Sequence, residues 1–182
     1  MVPVTTMIAP YEGSINMSIA FNAEEVFKMG MDIETNGEAY YKKAAELVKD
    51  PEVKKVLLHL MEEEKKHYTT FKKLLESLPP KSSLPTVGDP EGQENLYLNA
   101  LVKSRLFSNV REAEDVAAQV ENAEEALKAA LTFEKDTILF FQTMKSMTRE
   151  DLGQAEIDML IEEERKHVIK ISEELKKLKE QG

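Results

Sequence analysis

Four long stretches of the chain carry apolar residues at intervals of three and four, the spacing that lines side chains along one face of an α-helix. Phe27, Met31, Tyr41, Ala45 and Val48 mark the first stripe; Leu57, Leu60, Phe71, Leu74 and Leu78 mark the second. The third runs through Leu127, Ala130, Phe141 and Met144, and the fourth through Ile157, Leu160, Ile171, Leu175 and Leu178. Helix-capping residues delimit these segments. Asn22 with Glu25 three residues on has the form of a capping box, opening a helix that runs to about Lys49. Asp50-Pro51 sets an N-cap before a proline at the first helical position, and the second helix then runs to about Leu78, where Pro79-Pro80 stops it. Asn109, or Asn122 with Glu125, caps a third helix that continues to about Met147. Thr148 with Asp151 caps a fourth that reaches the C-terminus. Residues 79–94 read as loop, 95–107 as a shorter helix, and the arm 1–21 as at most a short extended segment.

Tight turns join the first helix to the second and the third to the fourth, which predicts two antiparallel hairpins. Within one domain they occupy 22–78 and 122–182, preceded by the arm 1–21 and joined by the crossover 79–121. The hairpins look like copies. Residues 34–67 and 134–167 align without a gap, setting Tyr40-Tyr41 on Phe140-Phe141 and Met61-Glu62-Glu63-Glu64 on Ile161-Glu162-Glu163-Glu164. A repeated helical hairpin predicts an all-α antiparallel four-helix bundle with approximate two-fold symmetry and a long crossover connection. A crossover of that length could also let hairpins exchange between subunits.

Each apolar stripe is interrupted by charge. Glu34 breaks the first, Glu64 and His67 the second, Glu134 the third, Glu164 and His167 the fourth. Glu34 lies 16 residues before Asp50 and Glu64 lies 14 after it. At about 1.5 Å per residue these are roughly 24 and 21 Å from the turn, so the two share a level in the bundle. Glu134 and Glu164 are likewise nearly equidistant from a turn near residues 149–150. Four carboxylates and two imidazoles in an apolar interior are costly unless their charge is compensated. Two divalent cations would compensate it. The i, i+3 spacing puts each Glu and His on one helix face, so Glu64 and Glu164 can bridge two ions while His67 and His167 each terminate one. The competing reading is a solvated Glu-x-x-His in a metal-free interaction bundle, and the placement of all six on apolar stripes weighs against it.

Composition narrows the chemistry. Thirty-four acidic residues against 24 basic ones leave a net charge of −10 in 182 residues, which offers no basic field to nucleic acid or to an anionic membrane. There is no cysteine, which excludes disulfides, thiolate zinc and iron–sulfur clusters within this chain. The longest apolar runs, such as Ile138-Leu139-Phe140-Phe141, are too short to span a bilayer. The arm lacks a basic leader and is broken by Pro3, Pro10 and Gly13, so a cytoplasmic location is expected.

A glutamate, then Glu-x-x-His, then a glutamate, then Glu-x-x-His on four successive helices resembles the diiron-carboxylate proteins of the ferritin-like superfamily, and among them the rubrerythrin group. The resemblance covers about 22–78 and 122–178, and Ile33-Glu34-Thr35-Asn36-Gly37-Glu38-Ala39-Tyr40-Tyr41 reads like that group's first helix. It implies a ferritin-like bundle with Glu34 and Glu134 as terminal ligands, Glu64 and Glu164 as bridges, and His67 and His167 as terminal nitrogens. It further implies two non-haem iron ions, or manganese in their place, in a homodimeric oxidoreductase that reduces hydrogen peroxide or dioxygen. Ferritin-like ferroxidase and iron handling, or a di-manganese catalase-like activity, are the alternatives the same likeness carries. Two features depart from the group. Rubrerythrins carry a rubredoxin-like domain whose iron is held by four cysteines; with no cysteine here, electrons are expected from a separate donor such as a rubredoxin. Rubrerythrins also have an extra glutamate three residues after the third-helix ligand, and Thr137 occupies that position.

Secondary candidates follow. Tyr41, two turns along from Glu34, is a core aromatic with its hydroxyl satisfied elsewhere, a hydrogen-bond donor to a ligand, or a redox relay; its counterpart Phe141 has no hydroxyl. Glu38, one turn from Glu34, is either a residue of the solvated face or an alternative or supporting ligand; His59, off the buried stripe, is expected at the surface, and Glu62, Glu63, Glu162 and Glu163 are expected to face solvent or a neighbouring helix.

Overall fold

The computed structural model describes residues 22–80, 93–104 and 107–181, and the expected extended arm at 1–21 lies outside them. Helices α1 (Ala23–Leu47), α2 (Pro51–Ser77), α5 (Ala123–Met147) and α6 (Gln154–Gln181) form the bundle, while α3 (Gln93–Ser104) and α4 (Val110–Ala118) lie in the crossover. Helix α1 pairs with α2 and α5 with α6; α1 also packs on α5, and α2 on α6. No helix among the described residues is long and apolar enough to cross a membrane.

The helix starts are chemically explicit. Asn22 Oδ1 accepts from the Glu25 amide at 3.0 Å while Glu25 Oε2 accepts from the Asn22 amide at 3.0 Å, closing the capping box. Asp50 Oδ1 accepts from the amides of Glu52 and Val53 at 2.9 and 3.0 Å, ahead of Pro51. Each cap is worth about 1 kcal/mol.

Asn109 and Asn122 prove not to be alternatives. Asn109 Oδ1 accepts from the Glu112 amide and starts α4, and Asn122 Oδ1 accepts from the Glu125 amide and starts α5. The crossover therefore carries two helices where the sequence pattern marks one. Helix α4 buries Ala113 and Ala117 against the bundle and packs along α1.

The start of the fourth helix also differs from the expectation. Thr148 closes α5 instead of opening α6: its amide bonds the Lys145 carbonyl and its hydroxyl the Met144 carbonyl. A short 3-10 turn at Glu150–Leu152 follows, and Gly153 takes φ 109° before α6 begins at Gln154. That left-handed conformation suits glycine, and a Cβ there would also meet Leu74 Cδ2 at 2.6 Å.

The predicted stripes form the core. Phe27, Tyr41, Leu57, Leu60, Phe71, Leu127, Phe141, Met144 and Ile157 are fully buried, and each such side chain contributes roughly 1.5–3 kcal/mol through its burial. Of the stripe residues, Met31, Val48, Leu78 and Leu178 are partly exposed.

Candidate metal centre

All six residues that interrupt the stripes are buried, none more than 5% exposed. One oxygen or nitrogen from each of Glu34, Glu64, His67 and Glu164 lies within 4.8 Å of the others, and the same holds for Glu64, Glu134, Glu164 and His167. The two groups share Glu64 and Glu164. All six side chains come from one chain, so no exchange of hairpins is needed to assemble them.

Both histidines turn Nδ1 toward the carboxylates. His67 Nδ1 is 2.8 Å from Glu164 Oε1 and 3.5 Å from Glu34 Oε2. His167 Nδ1 is 2.9 Å from Glu164 Oε2, 3.4 Å from Glu134 Oε1 and 4.0 Å from Glu64 Oε1. The rings themselves stack at 5.3 Å between centroids, with 21° between planes.

The same atoms are poorly satisfied by protein alone. Both oxygens of Glu34 and of Glu64, Oε2 of Glu134, Oε1 of Glu164 and Nδ1 of His67 have no hydrogen-bond partner among the described residues. His67 Nδ1 is therefore close to Glu164 but out of line for a hydrogen bond. Buried carboxylate oxygens are rarely left this way. Seven orphaned donor atoms converging on two overlapping groups fit a pair of cations, and the carboxylate-rich set with one imidazole per group suits divalent first-row metals.

Protonation tells the same story. Burial pushes the carboxyls of Glu34 and Glu64 well above the usual range, and neighbouring carboxylates add to it. Burial and the charge of Glu164 push Glu134 up to about 8. Burial acts on Glu164 too, but its contacts with His167 and His67 outweigh that and hold it below the ordinary value. Burial would lower both imidazoles; instead the adjoining Glu164 raises His67 to about 9, and Glu134 with Glu164 raises His167 to about 10. Without a cation most of these groups hold protons, which a metal would displace.

The surroundings differ on the two sides. Tyr41 donates its hydroxyl to Glu134 Oε1 at 2.5 Å, so its partner lies across the bundle on α5 and not on its own helix. Phe107, at the start of the segment leading to α4, stacks on Phe133 at 4.9 Å and on Tyr40 at 5.3 Å. Asn36 Nδ2 donates to the Phe107 carbonyl at 2.8 Å and ties that segment down. These aromatics wall the α1–α5 side against water. Gly37 brings the α1 backbone against the site: a Cβ there would meet Glu64 Oε2 and Phe133 Cε1, each at 2.8 Å. Thr137, one turn beyond Glu134, is fully buried and its hydroxyl has no partner among the described residues.

One residue was missed by the sequence pattern. Glu163, half exposed, lies 3.0 Å from His67 Nε2 through Oε2. Within a run of three glutamates nothing in the sequence separates it from Glu162, which pairs with Arg165 on the surface. The remaining candidates stay outside the cluster as expected: Glu38 faces Lys65 at 3.7 Å, Glu62 pairs with Lys65 at 2.7 Å, and His59 lies 3.7 Å from Glu63.

Comparison with known proteins places this arrangement in context. The sequence model of the rubrerythrin family matches residues 12–75 and 25–124. No curated protein matches the sequence. Among solved structures, the fold matches the crystal structure of a provisionally assigned ferritin-like diiron-carboxylate protein from Thermotoga maritima. The TM-score is 0.67 at 19% identity, over 86% of this chain and 96% of that one. At that identity the likeness carries the fold, which is a ferritin-like helical bundle.

Proposed function

The chain belongs to the rubrerythrin family, and from that premise we propose that its buried cluster holds two iron ions and reduces hydrogen peroxide or dioxygen with electrons from an external donor. The observation that carries this reading is the sharing of Glu64 and Glu164 between two four-residue groups. In this assignment Glu64 and Glu164 would serve both ions, Glu34 and His67 would complete the protein ligands of one, and Glu134 and His167 those of the other. A pair of ferrous ions, when bound, supplies the two electrons that reduction of an O–O bond requires.

The chain's own residues have definable tasks. With an ion bound, Glu163 would accept a hydrogen bond from His67 Nε2, leaving Nδ1 as the lone-pair donor facing the cluster. Tyr41 holds Glu134 Oε1 through its hydroxyl, fixing that carboxylate's orientation. The Tyr40–Phe107–Phe133 stack keeps water from one side, so entry of a small oxidant is expected along the α2–α6 face, where Glu163 reaches solvent. The donor set also accepts manganese, and with no cysteine in the chain a partner such as a rubredoxin would supply electrons.

The test is anaerobic loading with Fe(II), followed by peroxide or oxygen and then by reduced rubredoxin. Two ions per chain, visible absorption on oxidation and continued consumption of peroxide while donor is supplied are expected. Protein that takes up two ferrous ions and is oxidised by neither reagent would contradict the assignment. Protein purified from its native source with manganese in the site would contradict the choice of metal alone.

A further inference from the structure

The duplicated hairpins suggest two equal metal positions, but the groups behind the ligands are not duplicated. On the Glu34 side, His67 Nε2 is backed by the Glu163 carboxylate at 3.0 Å. By the 100-residue repeat the group to back His167 would be Glu63. That carboxylate is committed elsewhere: its Oε1 is 2.6 Å from Lys66 Nζ and 3.7 Å from His59 Nδ1. The carboxylates of Glu64, Glu134 and Glu164 all meet His167 at Nδ1, at 4.0, 3.4 and 2.9 Å.

The terminal carboxylates differ as well. Glu134 Oε1 accepts the Tyr41 hydroxyl at 2.5 Å, which draws electron density from an oxygen that would otherwise serve a cation. Neither oxygen of Glu34 carries such a bond. The counterpart of Tyr41 is Phe141, which has nothing to donate.

Both differences favour the same half. A carboxylate hydrogen-bonded to the outer nitrogen makes an imidazole a stronger metal donor and fixes its tautomer, and loss of such a partner typically weakens metal binding about 10–100-fold. We infer that the two positions are chemically unequal, that the one formed by Glu34 and His67 fills first, and that Glu163 is the positioning residue that makes it so. The inference rests on the cluster binding two ions, as proposed above, but not on iron or on any redox activity.

Co(II) provides the test, because its visible absorption reports binding without turnover. Stripped protein titrated with Co(II) alone is expected to fill in two resolved steps. His67→Ala should remove the tighter step and His167→Ala the weaker one. Glu163→Ala should weaken the tighter step about 10–100-fold and leave the other in place, with Glu163→Gln intermediate. Glu63→Ala should leave both steps unchanged. Two ions entering in one step of equal affinity, or Glu163→Ala acting on the step that His167→Ala removes, would overturn the inference and leave the two-metal reading intact. Failure to bind Co(II) at all would overturn both.

Discussion

Tyr41 on α1 reaches across the bundle to donate its hydroxyl to Glu134 Oε1 on α5, 93 residues away in sequence and 2.5 Å away in space. The ring is fixed independently, edge-on to Tyr40 and to Phe133 at 5.5 and 6.3 Å. Tyr41→Phe therefore removes one hydrogen bond and keeps the packing. It leaves Glu134 Oε1 only the 3.4 Å approach of His167 Nδ1, and the stripped protein should lose about 1–2 kcal/mol in urea unfolding. No loss would mean that the hydroxyl is satisfied without Glu134.

Stability should depend on pH in opposite senses with and without metal. In the unfolded chain the histidines titrate near 6.5, and in the folded chain His67 and His167 are raised to about 9 and about 10. Their contribution is full below pH 6.5 and is lost as pH climbs through 9 to 10. Glu134, raised from 4.5 to about 8, acts in the same direction, and so do Glu34 and Glu64. Glu164 has the opposite sign: its depressed value stabilises above 4.5 and that contribution fades in stronger acid. Scanning calorimetry of protein stripped with chelator should show a midpoint that falls from pH 6.5 to 9. Metal-loaded protein should hold or gain over that range, because its ligands bind deprotonated. Parallel profiles for the two forms would count against metal coordination by these groups.

Gly37 is where the α1 backbone meets a bridging candidate. Gly37→Ala gains up to about 1 kcal/mol of helix propensity, yet its new methyl would sit 2.8 Å from Glu64 Oε2. Glu64 must move. We expect elemental analysis of the variant to find fewer than two ions per chain while the helical circular dichroism is retained. Full metal content would show that Glu64 does not need that space.

Thr137 buries a hydroxyl that bonds to nothing in the described structure. Thr137→Val keeps the shape and removes the unpaired group, so the stripped protein should be unchanged or more stable by about 1 kcal/mol. A loss of 2 kcal/mol or more in chemical denaturation would mean that the hydroxyl has a partner after all.

The sequence made the cluster legible because charge on an apolar stripe is conspicuous. Glu34, Glu64, His67, Glu134, Glu164 and His167 each break a 3.6-residue pattern, and the turns set them at one level. The missed features depend on contacts between distant segments. Glu163 differs from its neighbours only in facing His67 on another helix, and the target of Tyr41 is set by how α1 meets α5. Thr148 looks like an N-cap in sequence, but its hydroxyl turns back to Met144 and the left-handed Gly153 takes over the start of α6. Asn109 and Asn122 looked like rivals because each cap signature is local, and only packing on α1 shows that the short α4 is worth forming.

Diffraction at the iron absorption edge from crystals loaded with Fe(II) bears most directly on the account. Two anomalous peaks per chain are predicted, both between Glu64 and Glu164, one beside Glu34 and His67 and the other beside Glu134 and His167. Iron found only on surface carboxylates, with these six side chains ordered around a centre that holds no metal, would contradict it.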